Sequence, residues 1–373
     1  MKKVYLDNAA TTQIRPEVIS VISKTMIENY GNPSSSHNFG RGAKNILEIC
    51  RRSISKLLQV SSPEIVFISG GTEGNNWIIG SAVRDLKIKR IITSKIEHHA
   101  VLYCIEKNQK EYNIEVDYVK ILPNGKIDLT NLVELLSTNV PTLVSLMHVN
   151  NETGVTLDLE QVALICKQYK ALFHSDTVQS MGKFNYNLQE VAVDFLVSSA
   201  HKFHGPKGVG FAFVRKGILL NPMIVGGEQE KGLRAGTESL HNIVGMTNAL
   251  EISFENLEIE KQYVLDLKNY CLEQLSIYFP EIKINGTETF HTILNILLPI
   301  SEQKSTMLLF NLDMQGIAVS RGSACQSGSS KPSHVLTEML SVEDLKKPSL
   351  RISFSHFNTK SDIDYLVEVL KKQ

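Results

Sequence analysis

The sequence predicts an α/β protein with a large domain on a mainly parallel sheet and a smaller α+β C-terminal domain. Three observations carry this. Helical and strand patterns alternate from Pro16 to about Lys216, as in α/β domains with parallel sheets. The strand-like runs are short and apolar, which suits strands buried on both faces. A long helical stretch from about Leu240 to Leu275 then changes the texture and bridges into the C-terminal part.

Taken in order, Pro16 opens a helix that runs to Tyr30 and is stopped by Gly31-Asn32-Pro33. Proline is pre-set for the first helical turn, whereas glycine and a second proline end it. A second helix shows apolar positions at Phe39, Ala43, Ile46, Cys50, Ile54 and Leu57, the spacing of one helical face. Buried strands are expected at Glu64 to Ser69, Arg90 to Ser94, Thr142 to Val149, Ala171 to Asp176, Asp194 to Ser199 and Val209 to Arg215. Helices at His98 to Lys110, Leu129 to Ser137 and Leu159 to Lys170 are long enough to cross a face of the sheet. Asn124-Gly125 after Val116 to Leu122 signals a local β excursion. The C-terminal part has strands at Thr292 to Leu298 and Leu350 to Phe354, a helix at Glu302 to Met314 and a last helix after Thr359. The expected division is residues 16–255 for the large domain, with 1–15 and 256–373 in the small one.

The chain has 373 residues, 42% of them apolar, with 39 basic and 39 acidic side chains. With no net charge and no block of like charges, nothing in its electrostatics favours nucleic acid or a membrane surface as partner. A small-molecule substrate fits better. Five cysteines without a Cys-x-x-Cys pair argue against a disulfide framework and a structural zinc site, and suit a reducing compartment. The N-terminus lacks the apolar segment of a signal peptide, and no run reaches the roughly 20 apolar residues of a membrane helix. A cytoplasmic location is expected.

In an open α/β sheet, ligands bind beyond the carboxyl ends of the strands. Here those ends carry Gly70-Gly71-Thr72-Glu73-Gly74-Asn75-Asn76, Glu97-His98-His99, Asn150-Asn151-Glu152, Asp176 with Gln179, and Ser199-Ala200-His201-Lys202. A glycine turn that opens a helix offers free N–H groups to a phosphate. Lys202 supplies an amine, Asp176 a carboxylate and His98 a planar ring. Pyridoxal phosphate needs all of these: an amine for its Schiff base, a carboxylate at the ring nitrogen, a phosphate cup and a stacking partner. Zinc competes for the histidines, but His98/His99 and His201/His204 have no Glu-x-x-His motif or cysteine partners at ligand spacing.

Cys325 stands apart from the other cysteines. It lies among glycine, serine and proline in the run 321–333, with Arg321 nearby. An accessible thiol near a cation is a candidate thiolate. Cys50, Cys104, Cys166 and Cys271 lie in or beside helix-like patterns, where cysteine acts as a small hydrophobe.

Tyr5-Leu6-Asp7-Asn8-Ala9-Ala10-Thr11-Thr12, Gly31-Asn32-Pro33-Ser34-Ser35, Met147-His148-Val149-Asn150-Asn151-Glu152, His201-Lys202 with Gly205-Pro206-Lys207-Gly208, Arg234-Ala235-Gly236-Thr237-Glu238 and Gly322-Ser323-Ala324-Cys325 join the Ser69 to Asn76 turn in one ordered set. This set resembles the cysteine desulfurases of the class-V aminotransferase family, in the group I branch, nearly end to end. The resemblance implies a fold-type I, pyridoxal-phosphate-dependent transferase. Such an enzyme converts L-cysteine to L-alanine and passes the sulfur on for iron-sulfur cluster assembly or tRNA thiolation. By motif, Lys202 would hold the cofactor and move protons, and His98 would stack on it and act in acid-base steps. Asp176 would face the ring nitrogen and Gln179 the phenolic oxygen. Gly71, Thr72, Ser199 and His201 would bind the phosphate. Thr237 would reach the phosphate of a neighbouring subunit, implying a homodimer. Asn151 would serve both cofactor and substrate, Arg351 would grip the substrate carboxylate, and Cys325 would take up the sulfur as a persulfide. The implied partner is a sulfur acceptor such as an iron-sulfur scaffold or sulfur carrier, and no metal is implied beyond a transient iron-sulfur contact at Cys325. A selenocysteine or cystine lyase, an aminotransferase of the same fold and a non-catalytic scaffold stand as alternatives. Two positions depart from the family pattern: Ser355-His356 in place of Gly-Arg, and Arg321 in place of a small residue.

Overall fold

A computed structural model describes residues 2–300, 302–322 and 333–372. Its large sheet contains β2 (Ile65–Ile68), β3 (Arg90–Thr93), β4 (Glu115–Tyr118), β5 (Thr142–Ser145), β6 (Leu172–Asp176), β7 (Phe195–Val197) and β8 (Gly210–Val214), in the order β2-β8-β7-β6-β5-β3-β4. Pairings among β4, β3, β5, β6 and β7 are parallel, and both pairings of β8 are antiparallel. Two reversals leave β2 running in the same direction as β7. The carboxyl ends of β2, β3, β5, β6 and β7 therefore meet at one edge.

The apolar runs follow from helices on both faces. Successive side chains of a strand alternate between faces, and here both faces are packed. Ile65, Phe67, Ile92, Val144, Leu196, Phe211 and Phe213 enter one core, which also holds residues of α1 (Pro16–Glu28), α2 (Asn38–Leu57), α6 (Leu159–Gln168) and α7 (Leu240–Glu255). Val66, Ile68, Ile91, Leu143, Phe195, Val197 and Ala212 enter another with α3 (Gly71–Arg84) and α4 (His99–Tyr112). Helix starts are capped locally. Asp158 accepts from the Gln161 N–H at α6, and Asp128 accepts from the Asn131 N–H at α5 (Leu129–Leu136).

A separate core gathers β1 (Val4–Tyr5), α8 (Leu257–Tyr278), β10 (Ile293–Leu297), β11 (Ile317–Ala318), β12 (Ser349–Ser353) and α11 (Lys360–Leu370). There β12, β10 and β9 (Lys283–Ile284) form an antiparallel sheet, and β1 pairs with β11 in parallel. Two local expectations change. The stretch after Glu115 is no mere excursion: β4 is the edge strand of the large sheet, parallel to β3, and only Ile121 and Ile127 form the local bridge. The long helix is two helices, α7 and α8, that meet at Asn256. Cys50, Cys104, Cys166 and Cys271 are buried and unbridged, and burial pushes their thiols up. Among the described residues no helix is long and apolar enough to cross a membrane.

One buried ion pair ties α2 to the loop before α7. Arg51 donates to both carboxylate oxygens of Glu230 at 2.7 Å, and Glu230 also accepts from the Phe67 N–H. Glu230 holds a left-handed φ of 49°, a conformation that needs support from its surroundings. Arg51→Met strands the carboxylate in the core, and removing one partner of such a pair costs about 3–5 kcal/mol. Urea unfolding of the variant should show that loss, whereas a change under about 1 kcal/mol would mean that Glu230 finds water instead.

Candidate active site

A cavity of about 230 Å3 opens where the strand ends meet, lined by Ala9, Ala10, Gly71, Thr72, Asn75, His98, Met147, Asn151, Asp176, Val178, Gln179, Ser199, His201, Lys202 and Arg351. Every expected cofactor residue except Thr237 is in this set, with the substrate residues Asn151 and Arg351. Thr237 is exposed and lies outside the cavity. Cys325, with the rest of 323–332, lies outside the described residues.

One end of the cavity is built around a glycine turn. Gly70 has φ 149°, open to glycine at low cost, and turns β2 into α3. A Cβ on Gly71 would sit 2.7 Å from Val178 Cγ2, so the first turn of α3 lies close against the loop after β6. Its unpaired N–H groups, the Thr72 and Ser199 hydroxyls and His201 share this end. His201 shares a hydrogen bond with Thr11 Oγ1 at 3.1 Å. Burial, with the Lys202 charge, pushes its pKa down to about 4.

Four further groups line the cavity: Asp176, Lys202, Gln179 and His98. Asp176 ends β6, where Oδ2 accepts from Asn75 Nδ2 at 2.7 Å and Oδ1 from the Val178 N–H at 3.0 Å. Lys202 Nζ donates to the carbonyls of Ala9 and Ala10 at 2.6 and 2.8 Å. Gln179 donates to the Ala9 carbonyl at 2.9 Å, and its Oε1 is buried without a partner among the described residues. His98 is the N-cap of α4, where Nδ1 accepts from the Ala100 N–H at 3.1 Å. Burial lowers its pKa, against the raising effect of Asp176, so the ring is available as a base at neutral pH.

At the far end Arg351 is almost fully buried. It donates to the Asn151 carbonyl at 2.9 Å and to Asp7 Oδ1 at 2.8 Å, while its Nε has no partner among the described residues. Glu152, next to Asn151, accepts from Ser333 Oγ, and a Cβ on Gly322 would sit 3.3 Å from Glu152 Oε2. Gly322 and Ser333 flank the Cys325 segment, so one buried carboxylate binds the stem at Ser333 and lies close to the stem at Gly322.

Sequence reading picked out most of the polar residues that line the cavity but assigned no role to Asp7, Asn75, Glu97 or Glu152. Asn75 was findable, since it lies one helical turn from Gly71 on the same face. Asp7 and Glu152 act across pairings distant in sequence. Glu97 accepts from Ser94 Oγ and the Met147 N–H, and full burial pushes its pKa up to about 8.

Asn75 Oδ1, Gln179 Oε1 and Arg351 Nε, without partners among the described residues, the Lys202 amine, the Asp176 carboxylate and the N-terminal turn of α3 fit pyridoxal phosphate. They offer an amine, a ring-nitrogen acceptor and a phosphate cup in one cavity.

Glu97 also sets a pH dependence. The unfolded chain ionises this carboxyl above its ordinary value of 4.5, whereas the folded chain keeps the proton to about 8. Its stabilising contribution is full below the lower value and is lost as pH rises through the upper one, at up to about 1.4 kcal/mol per pH unit. Urea midpoints of wild type should fall between about pH 5 and pH 8 more steeply than those of Glu97→Gln. Parallel curves would show that Glu97 ionises freely.

The comparisons with known proteins agree with this geometry. The aminotransferase class-V family model matches residues 4–366. A cysteine desulfurase IscS of Dictyoglomus turgidum is 38% identical over 373 residues, covering 100% of this chain and 94% of that protein. A solved NifS-like protein superposes with a TM-score of 0.90 at 34% identity, covering 100% of this chain and 99% of its own. The structure titled SspA in complex with cysteine gives 0.81 at 28% identity, covering 96% and 100%. By the family match and by full-length identity, the chain belongs to the class-V aminotransferase family.

Proposed function

We propose that this chain is a pyridoxal-phosphate-dependent cysteine desulfurase that takes sulfur from L-cysteine, leaves L-alanine and carries the sulfur on Cys325. One observation carries the reading: Lys202, Asp176, the α3 turn and Arg351 line a single cavity. When bound, pyridoxal phosphate supplies an electron sink for the substrate carbon.

The residues divide the work. Lys202 supplies the attachment amine and then an amine near the substrate for proton transfer. Asp176, held by Asn75 and the Val178 N–H, would face the ring nitrogen. Gln179 serves the phenolic oxygen. Gly71, Thr72, Ser199 and His201 hold the phosphate. Arg351 grips the substrate carboxylate, with Asp7 and Asn151 fixing the orientation of its guanidinium, and Asn151 bounds the same end. Planar, forked donors suit this task. The Cys325 thiolate attacks the substrate sulfur. The S–S bond forms as the Cβ–S bond breaks, and that electron pair stays with carbon, which takes up a proton. Glu152 binds Ser333, which keeps that stem of the segment near Asn151 while sulfur is handed on. The cysteine-bound SspA structure supports cysteine as substrate.

The finer points extend the same reading. Exposed Thr237 suits a site completed by a second copy, hence a homodimer. The acceptor is an iron-sulfur scaffold or sulfur carrier, with a transient iron-sulfur contact at Cys325, and the setting is the cytoplasm. The cores divide at Asn256, with 1–15 and 256–373 forming the small domain.

Two variants test the chemistry. His98→Asn keeps an N-cap for α4 but removes the imidazole. We expect kcat to fall by about 10²–10⁴-fold with an unchanged urea midpoint, and near wild-type turnover would remove His98 from the acid-base steps. Cys325→Ala should keep the cofactor's absorbance and still bind cysteine, yet show no added sulfur by mass spectrometry and release no alanine. Undiminished alanine release would sink the assignment of Cys325.

A further inference from the structure

A second cavity of about 30 Å3 lies between the large-domain and small-domain cores. Phe203 lines it from one core, and Val264 and Phe354 from the other. Its polar lining includes Lys183, His204, His291, His356, Glu260 and Lys261. The charges in this lining do not balance. Glu260 is its carboxylate, and it is engaged: Arg15 Nη2 donates to both of its oxygens at 2.7 Å, and His356 Nδ1 lies 3.4 Å from Oε2. Lys261 lies 3.7 Å from Glu258. Lys183 has no ion pair among the described residues. Its ammonium has three donors and makes one hydrogen bond, to the Gln179 carbonyl at 3.3 Å.

We propose that this cavity binds a monovalent anion of about the size of a water molecule, a halide, on the Lys183 ammonium. Charge selects such a ligand, and the space admits it: one water occupies about 10–15 Å3, and the cavity has room for an ion of that size. Water would fill the space but leave the partly buried ammonium without a counter-charge, and a partly desolvated charge gains from one. The neighbouring rings do not compete for the anion as cations. Burial pushes His204 and His291 down to about 3, and His204 Nδ1 donates to the Gln13 carbonyl at 2.8 Å. Burial, with the Lys202 charge, pushes Lys183 down to about 7. The coupling also runs the other way: the Lys183 charge acts on the catalytic cavity through Lys202 and His201. A halide here would relieve that repulsion, linking the domain junction to the amine that holds the cofactor.

Bromide is the probe. Crystals of the holoenzyme soaked in sodium bromide should show an anomalous peak within hydrogen-bond distance of Lys183 Nζ. In solution, replacing gluconate by bromide at constant ionic strength should raise the urea midpoint near pH 6 more in wild type than in Lys183→Met. Lys183→Arg, which keeps the charge, should keep the excess. The excess should shrink as pH rises past about 7, because the ammonium that binds the ion is then lost. No anomalous peak at Nζ, or equal bromide shifts in wild type and Lys183→Met, overturns the proposal.

Discussion

The site depends on the way residues 6–15 are hydrogen-bonded on both sides. Toward the small core, Ser353 donates its N–H to the Leu6 carbonyl, and the N–H groups of Asn8 and Ala9 go to the Ser353 carbonyl and Oγ. Toward the large sheet, the Thr12 N–H goes to the His201 carbonyl, the His204 N–H to Thr12 Oγ1 and the Arg15 N–H to the His204 carbonyl. Between these anchors, the carbonyls of Ala9 and Ala10 receive Lys202 and that of Ala9 also receives Gln179. One strap thus sets where the loop after β7 stands relative to β12, and so where Lys202 stands relative to Arg351. Small side chains at Ala9 and Ala10 let the backbone come this close. A bulkier residue would keep the carbonyls and fill the cavity.

Burial then sorts the site into charged and neutral groups. In a low-dielectric interior an ionisable group stays charged only if its surroundings answer it. Asp176 is answered by an amide and a backbone N–H. Arg351 is answered by Asp7 and the Asn151 carbonyl. Glu97, His148 and His174 receive no counter-charge, and burial moves each toward its neutral form. Glu97 sits directly before His98, so its neutrality removes a second carboxylate charge acting on Asp176. The charges that remain are those with something to act on.

Much of this was legible because both rules that expose it are local. Period-two burial on both faces produces the continuous apolar runs, and strand ends collect reactive side chains whatever the pairing order. Hence His98, Asp176, Gln179, Ser199, His201 and Lys202 were readable one segment at a time. The remainder depends on pairings between distant segments. Glu115-Val116-Asp117-Tyr118 alternates polar and apolar residues and is exposed or half-buried throughout, so nothing in its pattern announces a strand of the large sheet. Its place comes from the register with β3. Asp7 gains its role only once β12 lies beside the N-terminal strap, and Glu152 only once Ser333 folds back on it. The break at Asn256 is hidden because both flanking helices keep apolar faces, one in each core.

Ser355-His356, the departure from the family pattern, has a structural consequence of the same kind. Arg15 Nη1 lies 3.2 Å from His356 Nε2 and can only donate, so Nε2 accepts and Nδ1 is left as the donor toward Glu260 Oε2. Arg15, His356 and Glu260 thereby close into one chain that joins the end of the strap, α8 and the turn after β12. An arginine in place of His356 would bring a second guanidinium to a carboxylate already bound on both oxygens by Arg15. The imidazole instead lies between the two, 3.2 Å from Arg15 Nη1 and 3.4 Å from Glu260 Oε2, and links them. Lys183, which lines the same junction, has no ion pair among the described residues.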